Sequence, residues 1–327
     1  MILVTGGAGF IGSNLVWALE RRGRRVAVCD RLGTGEKWRN LRGRDLVDLI
    51  APTQLEAWLD SEGDRLDAIL HLGAVSSTVE RDVDLIVESN LRLTLQLWRW
   101  CARHAVRFIY ASSAATYGAG EHGFDDSAER AVLARLVPLN AYGWSKHLTD
   151  RRIARLIEDR EPRPPQWVGL KLFNVYGPNE YHKGGQQSLV PQLVRQIAET
   201  GTARLFRSYR EGCADGEQRR DFVWIDDVID VVLWLLEHPE VCGILNVGSG
   251  RARSFNDLAR AVFAAMGRPE RIEYIEMPEG LRGTYQYLTE APLARLRAAG
   301  WDSQTTPLEE GVRRYVQEHL LRDDPYR

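Results

Sequence analysis

Residues 2–12 read ILVTGGAGFIG, an apolar β-type run that passes straight into glycines at Gly6, Gly9 and Gly12. The spacing is that of a strand-to-helix turn built to receive a dinucleotide. Gly6 permits the tight turn, Gly9 lets the backbone approach a pyrophosphate, and Gly12 lets the helix lie close to the sheet. Phe10 and Ile11 open that helix, whose unpaired N–H groups and positive dipole end face the phosphates without a basic side chain. Glycines serve ordinary turns as well, so the flanks matter. An amphipathic stretch with Leu15, Val16 and Leu19 follows, and then a second strand, 25–29, that ends in Asp30.

Working outward, apolar runs at 68–72, 107–111, 167–173 and 244–247 read as further strands, and helical spacing marks 54–61, 82–104 and 226–237. The predicted class is α/β: a Rossmann-type doubly wound parallel sheet with a smaller, discontinuous α/β substrate lobe. The dinucleotide-binding domain is expected at 1–176, with returning elements at about 226–247, and the substrate lobe at 177–225 and 248–327. After the 68–72 strand the small-residue stretch Leu72, Gly73, Ala74, Val75 and Ser76 lets a backbone run close to a cofactor. Ser89 and Asn90 fall inside the 82–104 helix and are assigned with that stretch to cofactor binding, where Asn90 can also orient the end of the sheet. The polar insertion 119–139 reads as a lid or substrate-side loop.

The 43 Lys and Arg side chains against 45 Asp and Glu leave a net charge of −2, so no global field favours nucleic acid or an anionic membrane. No apolar run approaches the roughly 20 residues of a membrane span, and a strand starting at Ile2 leaves no room for a signal peptide; a cytoplasmic protein is expected. Cys29, Cys101, Cys213 and Cys242 are scattered, indicating neither a disulfide frame nor a metal site. Among the 43 basic residues only Lys37, Lys146, Lys171 and Lys183 are lysines. Where arginine is the default cation, a retained lysine points to a site that wants a compact ammonium or an accessible proton.

Tyr142 and Lys146 are four apart in YGWSK, so on a helix they share one face. An ammonium beside a phenol lowers the phenol's pKa from about 10 toward neutrality and suits it to proton transfer at a substrate hydroxyl. The same lysine can bind the cofactor's ribose. The 107–111 strand delivers Ser112 and Ser113 about thirty residues earlier; Ser113 is assigned as the hydroxyl that holds the reacting oxygen, with Ser112 as its rival. Asp30 suits a ribose 2′-hydroxyl and hence NAD, whereas Arg31 and Lys37 suit a 2′-phosphate.

TGGAGFIG, YASSAATYG, YGWSK, LFNVYGP and RRDFVWIDDV together resemble the extended short-chain dehydrogenase/reductases, the NAD-dependent epimerase/dehydratase family. NVYGPNEYHKG and the late RGTYQY are similar to its branch that inverts C6 of an ADP-linked heptose for lipopolysaccharide core synthesis. The resemblance implies transient oxidation of C6 by a tightly held nicotinamide cofactor and return of hydride to the other face. It carries the two acid/base roles to Tyr142 and Lys183, and substrate contacts to Ser113, Asn174, Lys183, Gln192, Phe206, Arg220 and Tyr285. It also favours NADP, with NAD as the alternative, a nucleotide-sugar substrate and a homo-oligomer. Lys171 stands at an arginine-type position and reads as structural. Gly185 stands where the closest members carry serine, Gln192 replaces a histidine, and Phe206-Arg207-Ser208-Tyr209 departs from the usual pattern. A C4-type epimerase and a catalytically idle NAD(P)-sensing protein are the alternatives. Ala114-Ala115 stands where dehydratases of the family place an acid pair.

Overall fold

The computed structural model describes residues 1–283 and 285–327, so Thr284 of RGTYQY lies outside the described residues. Among them the strands are, in chain order, β1 (Ile2–Thr5), β2 (Val26–Cys29), β3 (Asp48–Ile50), β4 (Ala68–His71), β5 (Arg107–Ser113), β6 (Trp167–Leu172), β7 (Asn174–Tyr176), β8 (Ala203–Phe206), β9 (Arg219–Trp224), β10 (Gly243–Val247), β11 (Ala252–Ser254) and β12 (Ile272–Ile275). Besides the helix Leu55–Glu62 expected at 54–61, the longer helices are α1 (Phe10–Arg21), α2 (Leu93–His104), α3 (Ala141–Glu158), α4 (Leu189–Thr200), α5 (Ile225–Glu237), α6 (Phe255–Met266) and α7 (Leu308–Tyr315).

Seven strands form one parallel sheet in the order β10-β6-β5-β4-β1-β2-β3. A parallel sheet is covered on both faces, which is why its strands are nearly continuous apolar runs. Successive residues of β1 serve opposite cores. Ile2 and Val4 pack with Leu15 and Leu19 of α1 and Val228 and Val232 of α5, while Leu3 packs with Leu97 and Trp98 of α2 and Ile153 of α3. Trp98 meets Phe108 and Trp167 edge-on at 6.4 and 5.6 Å, and truncating such a buried indole costs about 3–5 kcal/mol. The strand order reverses between β1 and β4, and a crevice opens there at the carboxyl ends of the strands, as doubly wound sheets place their ligands.

A smaller lobe carries the sheet β11-β9-β7 and the pair β12-β8. The chain then returns, because α5 packs on α1 and β10 pairs with β6, Ile244 opposite Gly169. Asn174–Tyr176 pairs with β9 rather than with the large sheet.

Two expectations change. The 82–104 segment is not one regular helix. Asp82 caps a turn, Val83–Ile86, a π-helical stretch, Val87–Arg92, follows, and only then does α2 begin. The wider turn rotates Asn90 into the interior, where it is fully buried. The 119–139 insertion is no lid. Phe124 packs against Tyr117 and Phe173, Asp126 accepts the Asn246 backbone N–H at 2.7 Å, and Leu133 and Leu136 are buried. Its apolar residues therefore join the core beneath the sheet end, and none of the insertion lines the main cleft.

Candidate active site

The glycine turn closes on itself through Gly9 N–H to Gly6 O at 2.9 Å and Gly6 N–H to Cys29 O at 2.8 Å. Gly6 has φ +68°, and a Cβ there would stand 2.6 Å from the Gly73 nitrogen, so the two loops of the switch point touch only because both lack side chains. A Cβ on Gly12 would lie 2.1 Å from Gly6 O, which fixes α1 close to the turn. Gly9 is the N-cap of α1 and supplies no side-chain cap, leaving the helix N–H groups directed at the cleft. This cradle fits a dinucleotide pyrophosphate.

Asp30 is bound more heavily than a ribose ligand needs to be. Its carboxylate accepts the Ala8 N–H at 2.8 Å, the Arg31 N–H at 2.7 Å and the Lys37 ammonium at 2.6 Å. Asp30 and Lys37 line the cleft; Arg31 does not, and its side chain is exposed. Asn40, which sequence reasoning missed, donates to Ala8 O at 2.9 Å and to Asn179 O at 3.0 Å, tying this loop to the far side of the cleft.

On the β4 side, Leu72, Gly73, Ala74 and Ser76 line the cleft, whereas Val75, Ser89 and Asn90 do not. Asn90 spends its amide internally. It accepts from Val75 N at 2.8 Å and donates to Val75 O at 2.9 Å and Ser145 Oγ at 3.0 Å, so it holds the loop instead of facing a ligand. Behind it lies a chain of hydrogen bonds. Gly73 N–H donates to Thr5 Oγ1 at 3.2 Å, Thr5 lies 2.6 Å from His71 Nδ1, Thr94 lies 2.9 Å from His71 Nε2, and Thr94 donates to Asn90 O at 2.6 Å. Burial pushes the His71 imidazole down to about 3, with Lys146 acting in the same sense. It is therefore a neutral bridge.

Asn140 caps α3 by accepting the Gly143 N–H at 2.8 Å, and a Cβ on Gly143 would stand 2.6 Å from Ala115 O, so the helix start is pressed onto the turn after β5. Tyr142, Lys146 and Asp150 follow at four-residue steps along one face. Ser112 and Ser113 separate cleanly. Ser112 donates to buried Asp150 at 2.7 Å, while the Ser113 hydroxyl acts on the Tyr142 phenol, and both Ser113 and Tyr142 line the cleft. The expected depression of the phenol by Lys146 is not what the geometry gives. Burial raises Tyr142, Ser113 acts the other way, and Lys146 is not among its perturbers. The ammonium is instead buried and donates to Ala111 O at 2.7 Å, and its own pKa falls to about 8 by desolvation, partly opposed by Asp150. Asp150 also pairs with Lys171 at 3.0 Å, and Lys171 donates to Thr116 at 2.6 Å, both side chains being fully buried.

The other lobe contributes Lys183, Asn174 and Gln192 to the same cleft of about 540 Å³, together with His182, Gln186, Gln187 and Ser188, which the sequence did not single out. The Lys183 ammonium lies 5.5 Å from the Phe10 ring centroid and is lowered by burial, with Glu180 opposing. Gln192 donates to Gln187 O at 2.9 Å. Phe206, Arg220 and Tyr285 do not line the cleft. Arg220 sits just behind, its guanidinium 5.6 Å from the ring of cleft residue Phe255 and 5.0 Å from that of Tyr285. It is 7% exposed, and among the described residues it reaches no carboxylate. Of the acids near it in sequence, Asp221 accepts the Ser249, Gly250 and Ala291 N–H groups and Asp215 accepts the Ser208 N–H. Phe206 ends β8, where its carbonyl accepts from Gln218 at 3.4 Å.

Similarity runs along the whole chain. A protein of Nitratidesulfovibrio vulgaris named ADP-L-glycero-D-manno-heptose-6-epimerase is 48% identical over 332 residues, with 100% of both chains covered. One of that name from Fusobacterium nucleatum is 44% identical over 335 residues, again with 100% of both covered. The crystal structure of the Helicobacter pylori ADP-L-glycero-D-manno-heptose-6-epimerase aligns with a TM-score of 0.79 at 28% identity, covering 97% of this chain and 95% of that one. The model of the NAD dependent epimerase/dehydratase family matches residues 2–248, from the glycine turn through the returning strand β10. With that match joined to the cradle and the α3 face, the chain belongs to the NAD dependent epimerase/dehydratase family.

Proposed function

We propose that the chain is an isomerase that converts ADP-D-glycero-D-manno-heptose to ADP-L-glycero-D-manno-heptose by inverting C6, as a cytoplasmic homo-oligomer serving lipopolysaccharide core synthesis. The observation that carries the reading is one cleft lined by two proton-transfer groups from separate elements, Tyr142 on α3 and Lys183 on the turn Tyr181–Gln186. Full-length identity to epimerases of that name supports the choice of substrate.

When bound, a nicotinamide dinucleotide supplies a hydride acceptor and donor at C6. Gly6, Gly9, Phe10, Ile11 and Gly12 would hold its pyrophosphate, and Asp30 and Lys37 its adenosine ribose. Ser113 holds the C6 oxygen, and Tyr142 takes the hydroxyl proton as the C–H bond breaks. Inversion requires the carbonyl intermediate to be presented in a second way, in which Lys183 gives the oxygen its proton as the C–H bond re-forms; Tyr142 then loses a proton to solvent and Lys183 regains one before the next turnover. Lys146 adds a buried ammonium one helical turn along the same face from Tyr142, and Arg220, which lies behind Phe255, would have to turn past that ring to clamp a diphosphate oxygen pair. No substrate carbon gains or loses electrons over the full cycle. Ala114 and Ala115 occupy the turn after β5, and a side chain able to expel water is missing from that position.

For the cofactor, Lys37 favours NADP. It already neutralises Asp30, which removes the repulsion a 2′-phosphate would meet, and it lines the cleft. NAD remains the alternative. The two-lobe division keeps 1–176 with 226–247 on the dinucleotide side and 177–225 with 248–327 on the substrate side, and the pairing of β7 with β9 favours moving 174–176 across. Incubation with ADP-D-glycero-D-manno-heptose, followed by NMR at C6, is expected to give both epimers; turnover of UDP-galactose with no change at C6 points to a C4-type epimerase instead.

A further inference from the structure

Lys183 rides on a short 3-10 turn, Tyr181–Gln186, that belongs to no sheet and contains Gly184 at φ +54°. Such a turn does not fix a side chain by itself. It is gripped from two sides. On one side the buried Glu180 carboxylate accepts the Ser188 N–H, the Ser188 hydroxyl at 2.7 Å and the Tyr315 hydroxyl at 3.1 Å. On the other side segment 323–327 returns across the molecule. Tyr181 donates its hydroxyl to Pro325 O at 2.9 Å, and its ring meets Tyr326 edge-on at 5.1 Å. Arg327 N–H donates to Asn179 Oδ1 at 3.0 Å, just before the turn.

The segment is itself anchored on the dinucleotide side. The Arg327 guanidinium, 9% exposed, pairs with Asp226 and lies 4.4 Å from the Trp17 ring centroid of α1. Arg42 pairs with Asp324 and covers the Tyr326 ring at 5.4 Å. Asn179, at φ +73°, completes the link by donating to Ser13 of α1 at 3.1 Å and accepting from Asn40. The segment thus joins the turn carrying Lys183 to the helix that starts at the glycine cradle.

We propose that Tyr326 and Arg327 are positioning residues that hold Lys183 at the distance from the α1 side of the cleft that inversion requires. The proposal rests on the reading of Lys183 as the second acid/base group. Since a misplacement near 1 Å can cost about 100-fold, loss of the strap need not unfold anything to be felt. Lys183 is faced by Glu180 on its own turn, by His182 beside it with Lys37 and Asp30 beyond, and by the Phe10 ring of α1. Loosening the turn exposes the ammonium and returns its pKa upward.

The test compares holoenzyme of Tyr326→Ala, Tyr326→Phe, Arg327→Met and Lys183→Met. Three properties are read: C6 inversion, reduction of a C6-aldehyde analogue of the nucleotide sugar in a single presentation by enzyme loaded with reduced cofactor, and amide hydrogen exchange. Tyr326→Ala is expected to slow inversion about tenfold or more while aldehyde reduction stays within about threefold. Exchange rises at 179–186 and not at 6–12, and the limb of the kcat pH profile that Lys183→Met removes moves to higher pH. Tyr326→Phe, which keeps the ring, restores inversion; Arg327→Met gives the same pattern as Tyr326→Ala should that variant not fold. Equal loss of inversion and reduction, or intact inversion in both strap variants while Lys183→Met has lost it, overturns the positioning role alone. Intact inversion in Lys183→Met removes the reading of Lys183, and this proposal with it.

Discussion

The two walls of the cleft are built by different means. The cofactor wall consists of strand ends and the turns that directly follow them, and it is locked by short backbone contacts such as Gly6 against Gly73 and by the buried chain through Thr5, His71 and Thr94. The facing wall carries Lys183 on a turn, backed by Arg220 near the start of a strand of a small sheet. It is held by partners more than a hundred residues away, Asn40 on Asn179 and Pro325 on Tyr181. Parallel strands impose geometry on whatever follows them, whereas a turn must borrow its geometry from long-range contacts. The rigid wall suits a group that stays bound, and the borrowed wall suits one that must meet its substrate in two presentations.

The largest expected effect is on the rigid wall. Tyr142→Phe removes the hydroxyl that lines the cleft beside Ser113 and should lower turnover about 10²- to 10⁴-fold while cofactor titration is unchanged; wild-type turnover contradicts the assignment. Next comes the locking chain. His71 has a folded pKa of about 3 against an ordinary 6.5, so above pH 6.5 its contribution is fully present. As pH falls from there toward 3 the unfolded chain binds a proton that the native state refuses, and stability is lost at up to about 1.4 kcal/mol per pH unit. His147 and His182, both lowered to about 4, act in the same direction. In His71→Gln the acid slope measured by denaturant unfolding should flatten; an unchanged slope places the acid sensitivity elsewhere.

On the borrowed wall, Arg220→Gln removes a buried, carboxylate-free guanidinium. Charge-assisted contacts are worth about 1.5–3 kcal/mol, so KM for the nucleotide sugar should rise roughly 10- to 100-fold with cofactor affinity unaffected; a loss of cofactor instead would erase the division between the walls. The smallest effect separates two neighbouring cations. Lys37→Ala should weaken NADP binding about tenfold and NAD hardly at all, a scale set by one charge-assisted contact, whereas exposed Arg31→Ala should leave both unchanged in the same titration.

The same contrast explains what could be read from residues alone. Six strands of the large sheet, the glycine turn, and the shared face of Tyr142 and Lys146 were legible, since each depends on residues within a few positions of one another, whereas β3 and the short strands of the small lobe carry no long apolar run and were not read. The π-helical stretch at Val87–Arg92 was not, because apolar periodicity does not register one extra residue in a turn, and so Asn90 looked like a ligand when it is a brace. Arg31 and Lys37 were equal candidates by composition; only the fold of the Asp30 loop turns one outward and the other onto the carboxylate. The burial of insertion residues Phe124 and Asp126 depends on Phe173 and Asn246, and the placement of Lys183 on Tyr326, distances that no local pattern spans.

The central claim is that C6 is oxidised and re-reduced by a hydride kept within one binding event. The most direct measurement uses ADP-D-glycero-D-manno-heptose carrying deuterium at C6, incubated in ordinary water with the purified holoenzyme and no added cofactor. The inverted product should retain its deuterium at C6, with no reduced cofactor accumulating. Inverted product with solvent hydrogen at C6 contradicts the account, because it would mean that the carbon lost a proton and not a hydride.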